Sequence, residues 1–235
     1  MKAFNTFLLS LIVCFSSPVK SGIEDTIYHI EQRLARGESV AILYIDMQTK
    51  FIRAFNESEF ARVIEGQLRL IKHFAGRENV HLIDVNYKDQ GPTLSEALMQ
   101  LRKNINYRLF VKDKDSAFQT MRTIPASDDQ PVPADQVRGK LIDYLHSINT
   151  REIMLTGCFD GACVQRTAKD ALDAGFNVSV DRDLNIIENL YSSNRRLYTP
   201  EEHARIRSQR WELIQKQFPN LKMVQPIEHD YCVVD

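Results

Sequence analysis

Val40-Ala-Ile-Leu-Tyr-Ile45 is an unbroken apolar run rich in strand formers, closed by Asp46-Met47-Gln48. A run this short with no polar alternation reads as a strand buried on both faces, the pattern of a parallel sheet. Val80-His-Leu-Ile-Asp-Val85 repeats the signal, with helical periodicity from about Ser58 to Phe74 between the two. Strand, helix and strand in that order make the parallel crossover unit. Upstream, Ile23 to Arg36 reads as a helix stopped by Gly37; downstream, Arg108-Leu-Phe-Val111 reads as a third strand. Ala134 to Ile148 places Val137, Leu141, Leu145 and Ile148 on one helical face, and Glu152-Ile-Met-Leu-Thr156 follows as a fourth strand. Cys163 to Ala174 is expected to form the next helix, ended by Gly175, with Asn177-Val-Ser-Val180 as the strand after it. Pro200 to Phe218 reads as a last helix, charged on its outer face. The alternation predicts an α/β fold: three layers, α/β/α, around a mainly parallel Rossmann-like sheet.

The chain has 235 residues, of which 43% are hydrophobic and 26% charged. That is enough for one well-packed domain and short for two. Its 30 basic and 31 acidic side chains leave a net charge of -1, so nothing in the balance points to nucleic acid. A small-molecule substrate is the expected partner.

Residues 1–21 differ from the rest. Met1-Lys2 precedes the uncharged AFNTFLLSLIVCF, and small and polar residues run on to Gly22. That order is the layout of a secretory signal. The apolar run is shorter than the roughly 20 residues a spanning helix needs, so no stable membrane span is expected. The expectation is a signal peptide over residues 1–21 and export to the periplasm or outside. The alternative is a buried N-terminal helix in a cytoplasmic protein. Leu11-Ile12-Val13-Cys14 also resembles a lipoprotein box, with lipidation at Cys14 a minor alternative. Residues 22–235 are then one domain, with a helical extension from about residue 191. Without Cys14, the mature chain keeps Cys158, Cys163 and Cys232. An odd number leaves at least one thiol unpaired, although an oxidising compartment allows a bridge between Cys158 and Cys163.

In open parallel sheets ligands bind beyond the carboxyl ends of the strands. Few polar residues stand there: Asp46 after the first strand, Asp84-Val85-Asn86-Tyr87 at the end of the second, Lys112 after the third, and Gly157 to Cys163 after the fourth. A carboxylate, an ammonium and a thiol thus reach one edge. At the first turn of its predicted helix, Cys163 lies where unpaired N–H groups and the helix dipole favour a thiolate and can receive an oxyanion. From position alone, a small buried cysteine packing the helix on the sheet is an equal reading.

Three segments in order, Ala41-Ile-Leu-Tyr-Ile-Asp46-Met-Gln48, Lys112-Asp-Lys-Asp-Ser116-Ala-Phe118, and Thr156-Gly157 to Cys163-Val-Gln-Arg-Thr-Ala168, resemble the isochorismatase-like hydrolases. The resemblance covers roughly Val40 to Asn185. It implies a catalytic triad of Asp46 as base, Lys112 as supporting cation and Cys163 as nucleophile. The family spacing selects Lys112 over Lys114. The resemblance also implies a cis peptide near Cys158-Phe159, whose backbone serves oxyanion or substrate binding, and a homo-oligomer. The chemistry it implies is an amidase acting on a small C–N bonded substrate through an acyl-enzyme on Cys163. Two alternatives stand beside it: an isochorismatase-type enol-ether hydrolase, and a catalytically silent binding protein on the same fold. Metal-using relatives carry Asp-x-His after the second strand, whereas this chain has Asp84-Val-Asn86 and no further histidine until His146. No metal and no cofactor are expected. The pocket walls are expected from the loops Gln90 to Glu96 and Ile124 to Pro133, the second also a candidate lid.

Overall fold

The computed structural model describes residues 22–51, 57–125, 140–187 and 199–224. The expected signal segment, Cys14, Cys232, most of the candidate lid, the first half of the helix expected from Ala134 and the start of the C-terminal extension lie outside them. Among the described residues no helix is long and apolar enough to cross a membrane.

Helix α1 (Gly22–Leu34) leads into β1 (Val40–Ile45), α2 (Glu57–Phe74), β2 (Val80–Tyr87), the short α3 (Ser95–Leu101) and β3 (Arg108–Lys112). A 3-10 turn at Ala117–Gln119 precedes β4 (Thr120–Pro125). Then come α4 (Leu141–Ser147), β5 (Glu152–Cys158), a π turn (Asp160–Val164), α5 (Gln165–Asp173), β6 (Asn177–Ile186), α6 (Pro200–Gln217) and β7 (Leu221–Val224). The seven strands lie in the order β4-β3-β2-β1-β5-β6-β7. All neighbours run parallel except β3 and β4, so the sheet is mainly parallel, as its apolar runs predict.

Side-chain alternation divides the core between the two faces. Ala41, Leu43 and Ile45 pack with Leu141 and Leu145 of α4, Val164 and Ala168 beside Cys163, and Trp211 and Ile214 of α6. Val40, Ile42 and Tyr44 pack with Ile27 and Ile30 of α1, Leu70 and Phe74 of α2 and Leu101 of α3. A period of two on a strand with both faces covered is what makes β1 a continuous apolar run. All six of its residues are buried.

Several elements differ from expectation. The helix expected to begin at Cys163 is regular only from Gln165, and Cys163 sits inside the π turn before it. Strand β6 extends six residues past Val180, crossing a register irregularity against β5. Helix α3 and strands β4 and β7 were not expected. Thr120-Met-Arg-Thr-Ile-Pro125 lacks an apolar run because β4 is an antiparallel edge, and β7 is only four residues long. Strand β7 joins the sheet and α6 buries Trp211, so residues 200–224 complete the sheet and one helical layer.

The chain order reverses between β1 and β5: β2 and β3 extend the sheet on one side, β6 and β7 on the other. A crevice opens at the carboxyl ends of two strands where such a switch occurs. Gly157 shapes it. At a φ of 138°, its α-carbon lies so close to β1 that an added Cβ would meet the carbonyl oxygen of Ile45 at 2.1 Å. Only glycine permits that approach.

Candidate active site

Asp46 follows β1 at this switch point with a left-handed φ of 56°, and its amide donates to Val85 O at 2.8 Å. The bend ends the strand and turns the carboxylate into the crevice. Gln48 ties the neighbouring strand end in place: its amide nitrogen donates to the carbonyl oxygens of Tyr87 and Gly91, while its oxygen accepts from Tyr87 N at 2.7 Å. Lys112, the last residue of β3, reaches past β2 to place Nζ 2.7 Å from Asp46 Oδ2. It also donates to Asp115 O at 2.6 Å and lies over the Tyr87 ring. Lys112 is 0% exposed and Asp46 1%, whereas Lys114 is exposed. Burial therefore separates the two lysines.

Cys163 completes the cluster, its thiol close enough to Asp46 and Lys112 for both to act on its charge. Thr167 fixes the distance between the lysine and cysteine segments, because its Oγ1 accepts from Ala117 N at 2.9 Å. The Ser-Ala-Phe and Cys-Val-x-x-Thr-Ala signatures are thus two halves of one contact. The peptide between Cys158 and Phe159 is cis. Phe159 O accepts from Ala162 N at 3.0 Å and Val164 N at 3.2 Å, which forms the wide turn that carries Cys163. The Phe159 ring meets Phe51 edge to face at 5.8 Å. Cys158 is buried, and its thiol donates to Asp46 O at 2.8 Å. Cys158 and Cys163 are both free thiols.

The electrostatics correct one expectation. A helix N-terminus was expected to lower the Cys163 pKa; instead burial, and after it the Asp46 carboxylate, push the thiol up to about 12 against the pull of Lys112. The reason is positional: Cys163 is 7% exposed, inside a π turn and against a carboxylate. Burial likewise lifts Asp46 to about 6 although Lys112 opposes it. Desolvation therefore outweighs an ammonium at 2.7 Å. At neutral pH the resting arrangement is a thiol beside an ionised carboxylate and an ammonium.

A second buried carboxyl was given no role by the sequence. Asp84 Oδ2 accepts from Thr93 Oγ1 at 2.5 Å and from Tyr107 OH at 3.3 Å, and Asn86 bonds the same threonine. Burial lifts Asp84 to about 7, with the nearby Asp46 adding to the rise. Its signal was an aspartate inside the otherwise apolar run of β2. Among the described residues no group of three or more His, Cys, Asp or Glu side chains is placed to hold a metal.

These shifts set a stability slope. Asp46, Asp84 and Asp181 all have folded pKa values raised above the ordinary carboxyl value, to about 6, about 7 and about 6. Their contribution is fully present below the unfolded pKa and is lost as pH rises through the folded values. His81, lowered to about 4 by burial, acts in the opposite sense on acidification. The three carboxyls dominate, so the thermal midpoint is expected to fall between pH 5 and pH 8, with a shallower fall in Asp84→Asn. Equal slopes for the two proteins in a pH-resolved melting series would contradict this.

A family model described as the isochorismatase domain matches residues 40–186. Among solved structures, the MAR1 ribonuclease from Caenorhabditis elegans is 21% identical, the match covering 74% of this chain and 73% of that one with a TM-score of 0.51. The YcaC gene product of Escherichia coli, described as an octameric hydrolase of unknown specificity, is 15% identical over 79% of this chain and 75% of its own, with a TM-score of 0.53. N-carbamoylsarcosine amidase from Thermoplasma acidophilum is 16% identical over 82% and 99%, also with a TM-score of 0.53. At such identities the likeness establishes the fold alone. No curated protein sequence matches the chain.

Proposed function

The chain belongs to the isochorismatase-like hydrolases, and on that footing we propose that it is a cysteine-dependent amidase that cleaves a C–N bond in a small molecule through an acyl-enzyme on Cys163. The observation that carries this reading is the contact of one thiol with one carboxylate and one ammonium at the switch point, all three nearly closed to water.

The chemistry follows from the protonation states. The Asp46 carboxylate takes the thiol proton as Cys163 sulfur bonds to the amide carbonyl carbon. Because the resting thiol is protonated, transfer and attack are coupled, and Lys112 offsets the negative charge shared by sulfur and carboxylate. N–H groups of the turn from Cys158 and Phe159 to Cys163 serve the oxyanion. The C–N bond then breaks, and the nitrogen leaves with the proton held by Asp46. Water attacks the thioester with Asp46 again as base; the C–S bond breaks, the acid departs, and the thiol regains its proton.

The test is release of ammonia or amine from a panel of small primary amides and N-carbamoyl compounds. Turnover of at least one member is expected; a panel with neither turnover nor a covalent adduct contradicts the reading. Since Asp46 must be ionised to accept the proton, kcat/KM is expected to rise with pH through about 6 and then level. A profile that instead climbs continuously up to pH 9 would show that a free thiolate, not the coupled pair, is the attacking form.

Two further properties belong to the same proposal. Export is supported by the charged, apolar and small-residue order of residues 1–21. Self-association is supported by the octamer described for the E. coli protein of similar fold.

A further inference from the structure

Asp160 is a charged residue where the fold offers it no water: it is 1% exposed, in the π turn between the cis peptide and Cys163. A carboxylate buried without partners costs several kcal/mol. Among the described residues the side-chain hydrogen bonds of Asp160 all come from α6, about fifty residues downstream. Arg207 Nε donates to Asp160 Oδ2 at 2.6 Å, and Trp211 Nε1 donates to both carboxylate oxygens at 3.1 and 3.2 Å. Arg207 also donates through its terminal nitrogen to Arg182 O, and Arg182 donates to Ser208 Oγ at 2.7 Å, so β6 is held in the same grip. The Trp211 ring packs in the core cluster that contains Cys163 and Val164. Helix α6 rides so close on the turn that a Cβ on Gly161 would meet the Arg210 guanidinium at 2.5 Å.

Hydrophobic residues of the same volume would hold α6 on the sheet at least as firmly as a buried ion pair. A directional carboxylate bonded on both oxygens does something an apolar contact cannot: it admits one orientation of the turn. We propose that Asp160, gripped by Arg207 and Trp211, is a positioning residue that holds the Cys163 turn against Asp46 and Lys112; its consequence for catalysis rests on the reading of Cys163 as the nucleophile. Helix α6 is on this account a support for the turn that carries Cys163, through a contact between residues 47 apart along the chain.

The experiment reads the thiol directly and needs no substrate. Wild type, Asp160→Asn, Arg207→Ala and Arg207→Lys are alkylated with acrylamide from pH 7 to 10.5, and adduct at Cys163 is followed by peptide mass. In wild type Asp46, ionised above about 6, takes the proton as the thiol attacks, so the rate is expected to be nearly level over most of this range. Once released, the thiol titrates nearer its ordinary value of about 8.5. The Arg207→Ala and Asp160→Asn profiles are therefore expected to rise from pH 7 toward a plateau near pH 9, with rates at pH 7 several-fold below wild type. Arg207→Lys, which keeps a cation for Asp160, is expected to move back toward the wild-type profile. Urea midpoints are measured alongside. Variants that lose stability but keep the wild-type alkylation profile would show that the ion pair only holds the fold, and would overturn the proposal. Should Arg207→Ala fail to fold, Trp211→Phe keeps an aromatic ring in the core, removes the N–H together with part of the indole, and is judged by the same profile. A negative amide panel leaves this readout intact, so the two proposals fail separately.

Discussion

Cys163→Ser is expected to lower kcat/KM on any amide that the protein turns over by at least about 10⁴-fold, with the fold retained. The substitution keeps a small polar atom in a site that is 7% exposed, so packing is nearly unchanged. What changes is the proton. Asp46, with a pKa near 6, can draw a proton from a thiol whose sulfur then bears the charge against Lys112. A serine hydroxyl is far too weak an acid for that partner, and among the described residues no histidine stands in the cluster to replace it. The variant also separates the competing reactions. An enol-ether hydrolase of the isochorismatase type has no need of the thiol and would keep its rate, as would a protein whose hydrolysis arises elsewhere. A Cys163→Ser enzyme within tenfold of wild type on amides would remove the acyl-enzyme from the account.

The second large effect is expected at Lys112. Its ammonium is fully buried with Asp46 as counter-ion, and Lys112→Met fills the same volume while leaving that carboxylate unpaired. Removing one partner of a buried pair costs about 3–5 kcal/mol. The protein also has a way to reduce that cost: Asp46 takes up a proton. Its pKa, already raised by burial, rises further without the cation, and a protonated Asp46 cannot act as base. Lys112→Met is therefore expected to lose both stability and activity at pH 7, with part of the activity returning at alkaline pH. Lys114→Met, on an exposed side chain two residues away, is expected to stay within about 0.5 kcal/mol of wild type. Urea titration of the two variants side by side checks the contrast. Equal midpoints would mean that the Lys112–Asp46 contact has no energetic role.

How much of this was legible in the chain follows from which forces write themselves locally. Strands β1, β2 and β5 are buried on both faces and appear as apolar runs, so their positions and the polar residues at their ends could be read. With the ends of β1, β5 and the shorter β3 located, Asp46, Lys112 and Cys163 fell on one edge, and the structure brings all three together. The edge strands β4 and β7 left no such run, since an edge needs little apolar sequence. The π turn was missed because the apolar spacing of Val164, Ala168, Ala171 and Leu172 fits a helix from Cys163 onward; the extra residue in the turn is a matter of hydrogen bonding to Phe159 O. The direction of the Cys163 shift was misread for a related reason. A helix start implies a lowered pKa, but burial beside a carboxylate is a tertiary property that dominates it. Asp160 and its partners Arg207 and Trp211 lie 47 and 51 residues apart in sequence, and no local pattern joins them.

The central claim is that Cys163 carries the acyl group, and it is tested most directly by trapping that group. The enzyme is mixed with a turned-over amide, quenched in acid within the first turnovers, and its peptides are weighed. The account predicts a mass increase equal to the acyl fragment on the peptide containing Cys163, absent from Cys163→Ser and lost on incubation at neutral pH as water releases the acid. Steady turnover with no adduct on that peptide, in a quench fast enough to catch a single cycle, would contradict it.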